Sequence, residues 1–218
     1  MVMLNLFVNG ISGKMGSSIL NQVSKIENVS IIDSIIDCNV VVDFSRPESS
    51  MNIIKKCIEN KKPIVIGTTG FNDEQIKIIK QASQNIPVLL SYNMSKGIFF
   101  LKESIKDFLL KNHHIFECVI HEVHHTEKVD SPSGTAIELE KTIQTNDTNK
   151  IISSICVESE RVSDVNGVHE VRFFNKNESI VFRHEALSRN IFSDGAIAIA
   201  KAILKKEPNL YSVKDFFN

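Results

Sequence analysis

Residues 3–26 read "MLNLFVNGISGKMGSSILNQVSKI", and three local patterns succeed one another in them. "MLNLFVNG" is a short apolar run rich in β-formers, the pattern of a buried strand. Gly10, Gly13 and Gly16 then interrupt it, and Met15, Ile19, Val23 and Ile26 recur at helical spacing on one face. A strand, a glycine turn and a helix start in that order leave unpaired N–H groups at the helix N-terminus, where they suit a pyrophosphate. The spacing is G-x-x-G-x-x-G, with Ser12 where the more usual G-x-G-x-x-G has its second glycine. The competing reading is a β-α turn that uses glycine for geometry alone.

The pattern repeats along the first half of the chain. Strand-like runs "NVSII" (28–32), "NVVVDFS" (39–45), "PIVIGTTG" (63–70) and "PVLLSYN" (87–93) are interleaved with helical patterns over 45–62 and 73–85. Ser45 is the candidate cap of the first of these helices, with Pro47 near its first turn, and Asn72 or Asp73 that of the second. Strands alternating with helices predict β-α-β units and a mainly parallel, doubly wound α/β sheet. Ligands of such sheets bind at the carboxyl edge, where Gly67, Thr68, Thr69 and Gly70 follow one strand and Tyr92 and Asn93 another. An acidic residue after the second strand is expected to hold an adenosine ribose; Asp33 is best placed and Asp37 second, and both also suit a solvated turn.

Composition narrows the function classes. The chain has 218 residues, 42% hydrophobic, with a formal net charge of −1. That balance gives no long-range field to recruit nucleic acid or an anionic membrane, and neither is expected as a partner. Cys38, Cys57, Cys118 and Cys156 form no C-x-x-C pair and read as buried thiols of a reducing compartment. The N-terminus lacks a basic region, and no apolar run approaches the roughly 20 residues of a bilayer span, so a cytoplasmic location is expected.

After about Gly97 the pattern changes. A long apolar helix, "IFFLKESIKDFLLKN", leads to "IFECVIHEVHH", and then "IISSICVES", "VHEVRFF" and "SIVFRHEAL" follow as strands with one convincing helix between. Short links such as "NKNE" suit hairpins and suggest an open antiparallel sheet. "GAIAIAKAILKK" (195–206) is a helix apolar enough to return to the first domain. The boundaries implied are 1–96 plus 190–218 for a dinucleotide-binding domain and 97–189 for a substrate-binding domain.

Within the second half, His121, Glu122 and His125 spell H-E-x-x-H. A zinc site of that type needs both histidines on one helical face. The preceding "IFECVI" favours a strand, Pro132 and Gly134 stop any helix soon afterward, and four residues of strand span roughly 13 Å; no metal is expected. As a strand, Glu122 and His124 share one face, His121 and His125 the other. His124 then offers a proton donor, Lys128 a cation, and a helix starting at Ser133 offers the N–H groups of Gly134 and Thr135 to a carboxylate. A polar hairpin with a capped helix is the plain alternative. Arg161, Arg183 and Arg189 read as surface or inter-element partners, His169 and His184 as structural or exposed sheet histidines.

"EVHHTEKVDSPSGTA" (122–136), "GISGKMG", "VVVDFSRPES", "VIGTTGF", "YNMSKG" and "HEALSRNIFSDGA" together resemble the 4-hydroxy-tetrahydrodipicolinate reductase (dihydrodipicolinate reductase) family over essentially the whole chain. The resemblance implies a Rossmann-like domain joined to an α+β domain on an open mixed sheet, often in a homotetramer. It further implies reduction of a cyclic dicarboxylate with NADH or NADPH in diaminopimelate and lysine biosynthesis. His124 falls on the family's proton donor and Lys128 on its second catalytic group. His125, Ser133, Gly134 and Thr135 fall on the substrate pocket. Gly10, Ile11, Ser12, Gly13, Lys14, Met15, Gly67, Thr68, Thr69, Ser91, Tyr92, Asn93 and Met94 fall on the nucleotide-contacting segments.

Three features depart from the family pattern. "DSIIDCN" (33–39) is short and omits a helical crossover, which leaves the choice between NADH and NADPH open. Val119 stands where a glutamate is expected, and Ser91 and Met94 vary the strand-edge pocket. A non-catalytic NAD(P)-sensing protein is the alternative function, and the intact His124 and Lys128 argue against it.

Overall fold

A computed structural model describes residues 3–163 and 165–217. The chain divides into two compact units: residues up to Ser95 with those from Arg189 onward, and Lys96–Ser188.

The first unit is built on a six-stranded sheet. Its strands are β1 (Leu4–Asn9), β2 (Val29–Ile31), β3 (Val40–Asp43), β4 (Ile64–Ile66), β5 (Pro87–Leu90) and β10 (Asn209–Tyr211). All pair in parallel, in the order β10-β5-β4-β3-β1-β2. Every residue of β3 and β4 is buried, as strands covered on both faces must be. Helices α2 (Pro47–Glu59) and α3 (Asp73–Ala82) supply Ile53, Ile54, Cys57, Ile79 and Ala82 to a core with Val41, Ile64, Ile66 and Val88. Helices α1 (Lys14–Val23) and α6 (Asn190–Ile203) pack on each other, and α6 also on β3 and β4.

Several local expectations are corrected. Helix α1 ends at Val23, so Ile26 lies beyond it and is 40% exposed. Ser45 does not cap α2; Arg46 occupies that position, because the Ser45 hydroxyl is committed to Asp43 at 2.6 Å. Asn72 does cap α3, its side chain accepting from the Gln75 N–H while Gln75 accepts from that of Asn72. Helix α6 starts at Asn190, which puts Gly195 inside it; a Cβ there would lie 1.9 Å from the Met94 carbonyl oxygen, so only glycine lets the helix pack this closely. Strand β10 was not anticipated. Between β2 and β3 no helix intervenes, and Ile31 and Val40 both stand opposite Leu6.

The second unit packs α4 (Lys96–Lys111) and α5 (Gly134–Asn146) on a four-stranded sheet. Its strands are β6 (Phe116–His124), β7 (Ile152–Arg161), β8 (Val168–Phe174) and β9 (Ser179–Glu185), in the order β7-β6-β8-β9. The sheet is mixed, not antiparallel throughout: β6 and β7 run parallel because α5 forms the crossover between them, whereas β8 and β9 are antiparallel neighbours. Phe108 of α4 stacks on Phe173 at 4.6 Å between ring centroids and meets Phe116 edge-on, anchoring the core. Among the cysteines, Cys38, Cys57 and Cys118 are buried thiols, but Cys156 is exposed; β7 is an edge strand whose alternate residues face outward.

Candidate active site

Strand β6 alternates strictly, burying Phe116, Cys118, Ile120, Glu122 and His124. The buried face thus changes from apolar to ionisable at the carboxyl end of the strand. Its neighbours extend the change sideways: the register sets Ser159 and His169 beside Glu122, His184 beside His169, and Arg161 beside His124. Buried polar groups of this density are costly unless paired; Glu122 is paired with His124 and Arg161, and His169 with Ser133.

Glu122 is fully buried. It contacts His124 Nδ1, and its Oε1 accepts from Arg161 Nη2 at 3.0 Å and from the Ser133 N–H at 3.2 Å. Burial alone would push its pKa up, but hydrogen bonds from His124, Ser159 and Arg161 outweigh this and hold the carboxyl well below the usual range. His169 is pushed down to about 3, first by burial and then by the nearby His124, so it is neutral near pH 7. Its Nε2 shares a hydrogen bond with the Ser133 hydroxyl at 3.3 Å, and that hydroxyl accepts the Ala136 N–H at 3.2 Å as the cap of α5. The chain leaves β6 through His125 to Lys128, whose ammonium donates to both oxygens of Asp130 at 2.7 and 2.8 Å. Burial would raise the Asp130 carboxyl; the Lys128 ammonium, with help from the Gly134 N–H, holds it below the ordinary range. Gly134 therefore already serves a carboxylate, one supplied by the chain itself.

The H-E-x-x-H arrangement is not formed. His121 points away from Glu122 and pairs with Glu160 at 3.0 Å, and His125 lies beyond the end of β6. Glu122, His124 and His169 do bring ligand-type atoms within 4.8 Å of one another, but Glu122 is shared among His124, Arg161 and Ser133.

In the first unit the nucleotide candidates lie at the carboxyl edge of the sheet and just beyond it. Gly10 has φ +85°, and a Cβ there would sit 2.4 Å from the Phe44 carbonyl oxygen; on Gly16 it would sit 2.3 Å from that of Gly10. Gly13 caps α1 without a side-chain hydrogen bond, no acidic residue occupies the first turn, and Ile11, Ser12 and Lys14 are exposed. An uncapped, exposed helix start beside a lysine fits the pyrophosphate of a dinucleotide. Thr68 accepts from the Ser45 N–H at 2.9 Å, Ser91 donates to the Asn93 carbonyl at 2.7 Å, and Asn93 accepts from the Ser95 N–H at 2.9 Å, while Met94 is buried. Thr69 and Tyr92 are half-buried, and Asp33 is exposed just past β2. Sequence reasoning passed over the fully buried Asp43, which accepts from Asn9 at 2.8 Å and from the Ser45 and Ser50 hydroxyls. The signal was an acid ending a run of three valines. It also passed over Arg161 as a partner of Glu122, which only the strand register brings together.

Comparison with known proteins places both halves of the chain in one family. Residues 30–94 match the family model "Dihydrodipicolinate reductase, N-terminus" and residues 98–217 its C-terminal counterpart. A 4-hydroxy-tetrahydrodipicolinate reductase of Sulfurimonas denitrificans is 35% identical, with 98% of each chain covered. One from Bdellovibrio bacteriovorus is 38% identical over 81% of this chain and 75% of its own. Among solved structures, the dipicolinate-bound dihydrodipicolinate reductase of Paenisporosarcina sp. TG-14 superposes with a TM-score of 0.73 at 20% identity, covering 97% of this chain and 98% of that one. With two family models spanning most of its length, the chain belongs to the dihydrodipicolinate reductase family.

Proposed function

We propose that this chain catalyses the NAD(P)H-dependent reduction of 4-hydroxy-tetrahydrodipicolinate to tetrahydrodipicolinate in diaminopimelate and lysine biosynthesis. The observation that carries the reading is the run from His124 to Thr135. One strand end supplies an imidazole, while one turn and one helix start supply an ammonium and a backbone N–H around a carboxylate, now that of Asp130.

The net reaction exchanges a ring hydroxyl for hydrogen, so one hydride and one proton enter and one water leaves. The pyridine nucleotide supplies the hydride when bound. The chain's part is to bind, orient and protonate. The residues of Gly10–Met15 present the α1 N-terminus to the pyrophosphate, with Gly67–Thr69 and Ser91–Met94 along the same sheet edge and Asp33 toward the ribose. Lys128, His125, Ser133 and the N–H groups of Gly134 and Thr135 hold the substrate carboxylates, and His124 delivers the proton. On this reading residues 1–96 with 190–218 bind the nucleotide, and 97–189 bind the substrate.

NADH and NADPH are both assigned as cofactors. We also assign the chain to the cytoplasm and to a homotetramer built on the sheet face that α4 and α5 leave open. No helix among the described residues is long and apolar enough to cross a membrane.

The test supplies the labile substrate in place from the upstream synthase and follows loss of reduced-nicotinamide absorbance. Decay that depends on this chain is expected; none above background at ample enzyme returns the chain to the nucleotide-sensor reading.

A further inference from the structure

We propose that Glu122, anchored by Arg161, is the positioning residue of the proton donor: it holds His124 by Nδ1 and leaves Nε2 as the nitrogen that gives up and regains the proton. The inference rests on the reading of His124 as proton donor and deepens it.

An ionised carboxylate only accepts hydrogen bonds. Glu122 contacts His124 Nδ1, so that nitrogen carries a hydrogen in both protonation states of the ring. The neutral ring then has its lone pair on Nε2, and the proton that leaves and returns does so there. The carboxylate is held against rotation. Its Oε1 is committed to Arg161 Nη2 (3.0 Å) and the Ser133 N–H (3.2 Å), which leaves Oε2 for His124.

Arg161 is fixed in turn. The same Nη2 donates to the Asp130 carbonyl at 2.6 Å, and Nη1 to the Glu160 carbonyl at 2.7 Å. The guanidinium thus ties β6, β7 and the turn that carries Lys128 to one carboxylate.

The other side of the imidazole faces a glycine. His124 Nε2 has no hydrogen-bond partner among the described residues, and Gly167, at φ +153°, lies beside it. A Cβ at Gly167 would come within 3.1 Å of Nε2 and 3.3 Å of Cδ2. Among the described residues, the titratable groups around it besides Glu122 and Arg161 are His169, edge-on with ring centroids 5.0 Å apart, and His184 beyond it, with Lys128 acting on His169 from the following turn. His169 is neutral, so the carboxylate that steadies a protonated His124 is that of Glu122.

In the step itself the Nε2–H bond breaks as the substrate takes the proton. The ring becomes neutral with Nδ1–H retained, and water restores the proton at Nε2 after product leaves.

Glu122→Gln keeps the size and removes the charge and the one-way acceptor. The expected result is a kcat about 10- to 100-fold below wild type, with KM for substrate and the Kd for NADPH within about twofold. Nitrogen-15 spectra of histidine-labelled protein should show the His124 ring predominantly Nδ1-protonated when neutral in the wild type and as a tautomer mixture in Glu122→Gln. Arg161→Lys, which keeps the charge but loses the fork, should fall between the two in kcat, and it carries the test if Glu122→Gln does not fold. Wild-type kcat in the foldable variant, or an unchanged His124 tautomer, overturns the inference. His124→Ala separates it from the reading beneath: if that variant is inactive while Glu122→Gln is not, only the positioning role fails; if His124→Ala turns over normally, the proton-donor reading fails first.

Discussion

Asp130 grips the Lys128 ammonium with both carboxylate oxygens, at 2.7 and 2.8 Å, while also receiving the Gly134 N–H. On the proposed assignment a dicarboxylate substrate would need the same cation and the same N–H, and would enter by displacing the Asp130 side chain. The pair is partly exposed, with side-chain exposures of 20% and 38%, and such pairs are worth at most about 1 kcal/mol. Asp130→Asn should therefore bind dipicolinate a few-fold more tightly, up to about fivefold, by isothermal calorimetry. Weaker binding would mean that Asp130 holds Lys128 in place for the substrate.

Removing the groups assigned to chemistry should separate turnover from nucleotide binding. His124→Ala is expected to lower kcat by about 10² to 10⁴, and Lys128→Ala to lower kcat/KM by at least about tenfold. NADPH binding, followed by nucleotide fluorescence, should stay within twofold for both. Near-wild-type turnover in either variant removes that residue from its role.

The glycine turn makes a prediction by contrast. A Cβ at Gly16 would meet backbone atoms of Gly10 and Ile11 at 2.3 to 2.5 Å, and neither can step aside. At Gly13 the nearest atom is 3.2 Å away, and φ is −79°. Gly16→Ala should cost about 1–3 kcal/mol of stability, whereas Gly13→Ala should stay within about 1 kcal/mol. Urea unfolding of the two variants checks the order.

Acid should weaken the fold earlier than carboxylate titration alone predicts. His169 titrates at about 3 in the folded chain against roughly 6.5 when unfolded. Between those values the unfolded chain binds the extra proton, so stability falls as pH falls, by up to about 1.4 kcal/mol per pH unit. Glu122 and Asp130, both held below their ordinary range, add to the loss once the pH drops below about 4. His169→Gln should flatten the slope of unfolding free energy between about pH 6 and 4; an unchanged slope would assign it to other groups.

The nucleotide-type half was legible because its strands and helices are short, alternate cleanly and carry their own punctuation, as Asn72 does for α3. Strand β10 was not: its three residues are exposed or half-buried, and their place is set by pairing with β5, a contact of long sequence separation. Hairpin-length links among the later strands point to an antiparallel sheet, but the one helical crossover decides the direction of β7 and makes the sheet mixed, as the family resemblance implies. The position of His124 on the same face of a strand as Glu122, with Lys128 in the turn that follows, was legible in the local pattern. The partnership of Glu122 with Arg161, 39 residues apart, was not, since it exists only through the β6–β7 register. The same holds for Asn9 with Asp43.

The side-by-side placing of Ser159, Glu122, His169 and His184 across four strands has a consequence for biogenesis. Slipping any one of those strands by a single residue would turn its whole contribution to the opposite side of the sheet, stranding Glu122 without its counter-charge or His124 without its brace. A chain assembled one step out of line would be inert from the outset, so specific activity per folded molecule doubles as a gauge of fidelity in strand alignment.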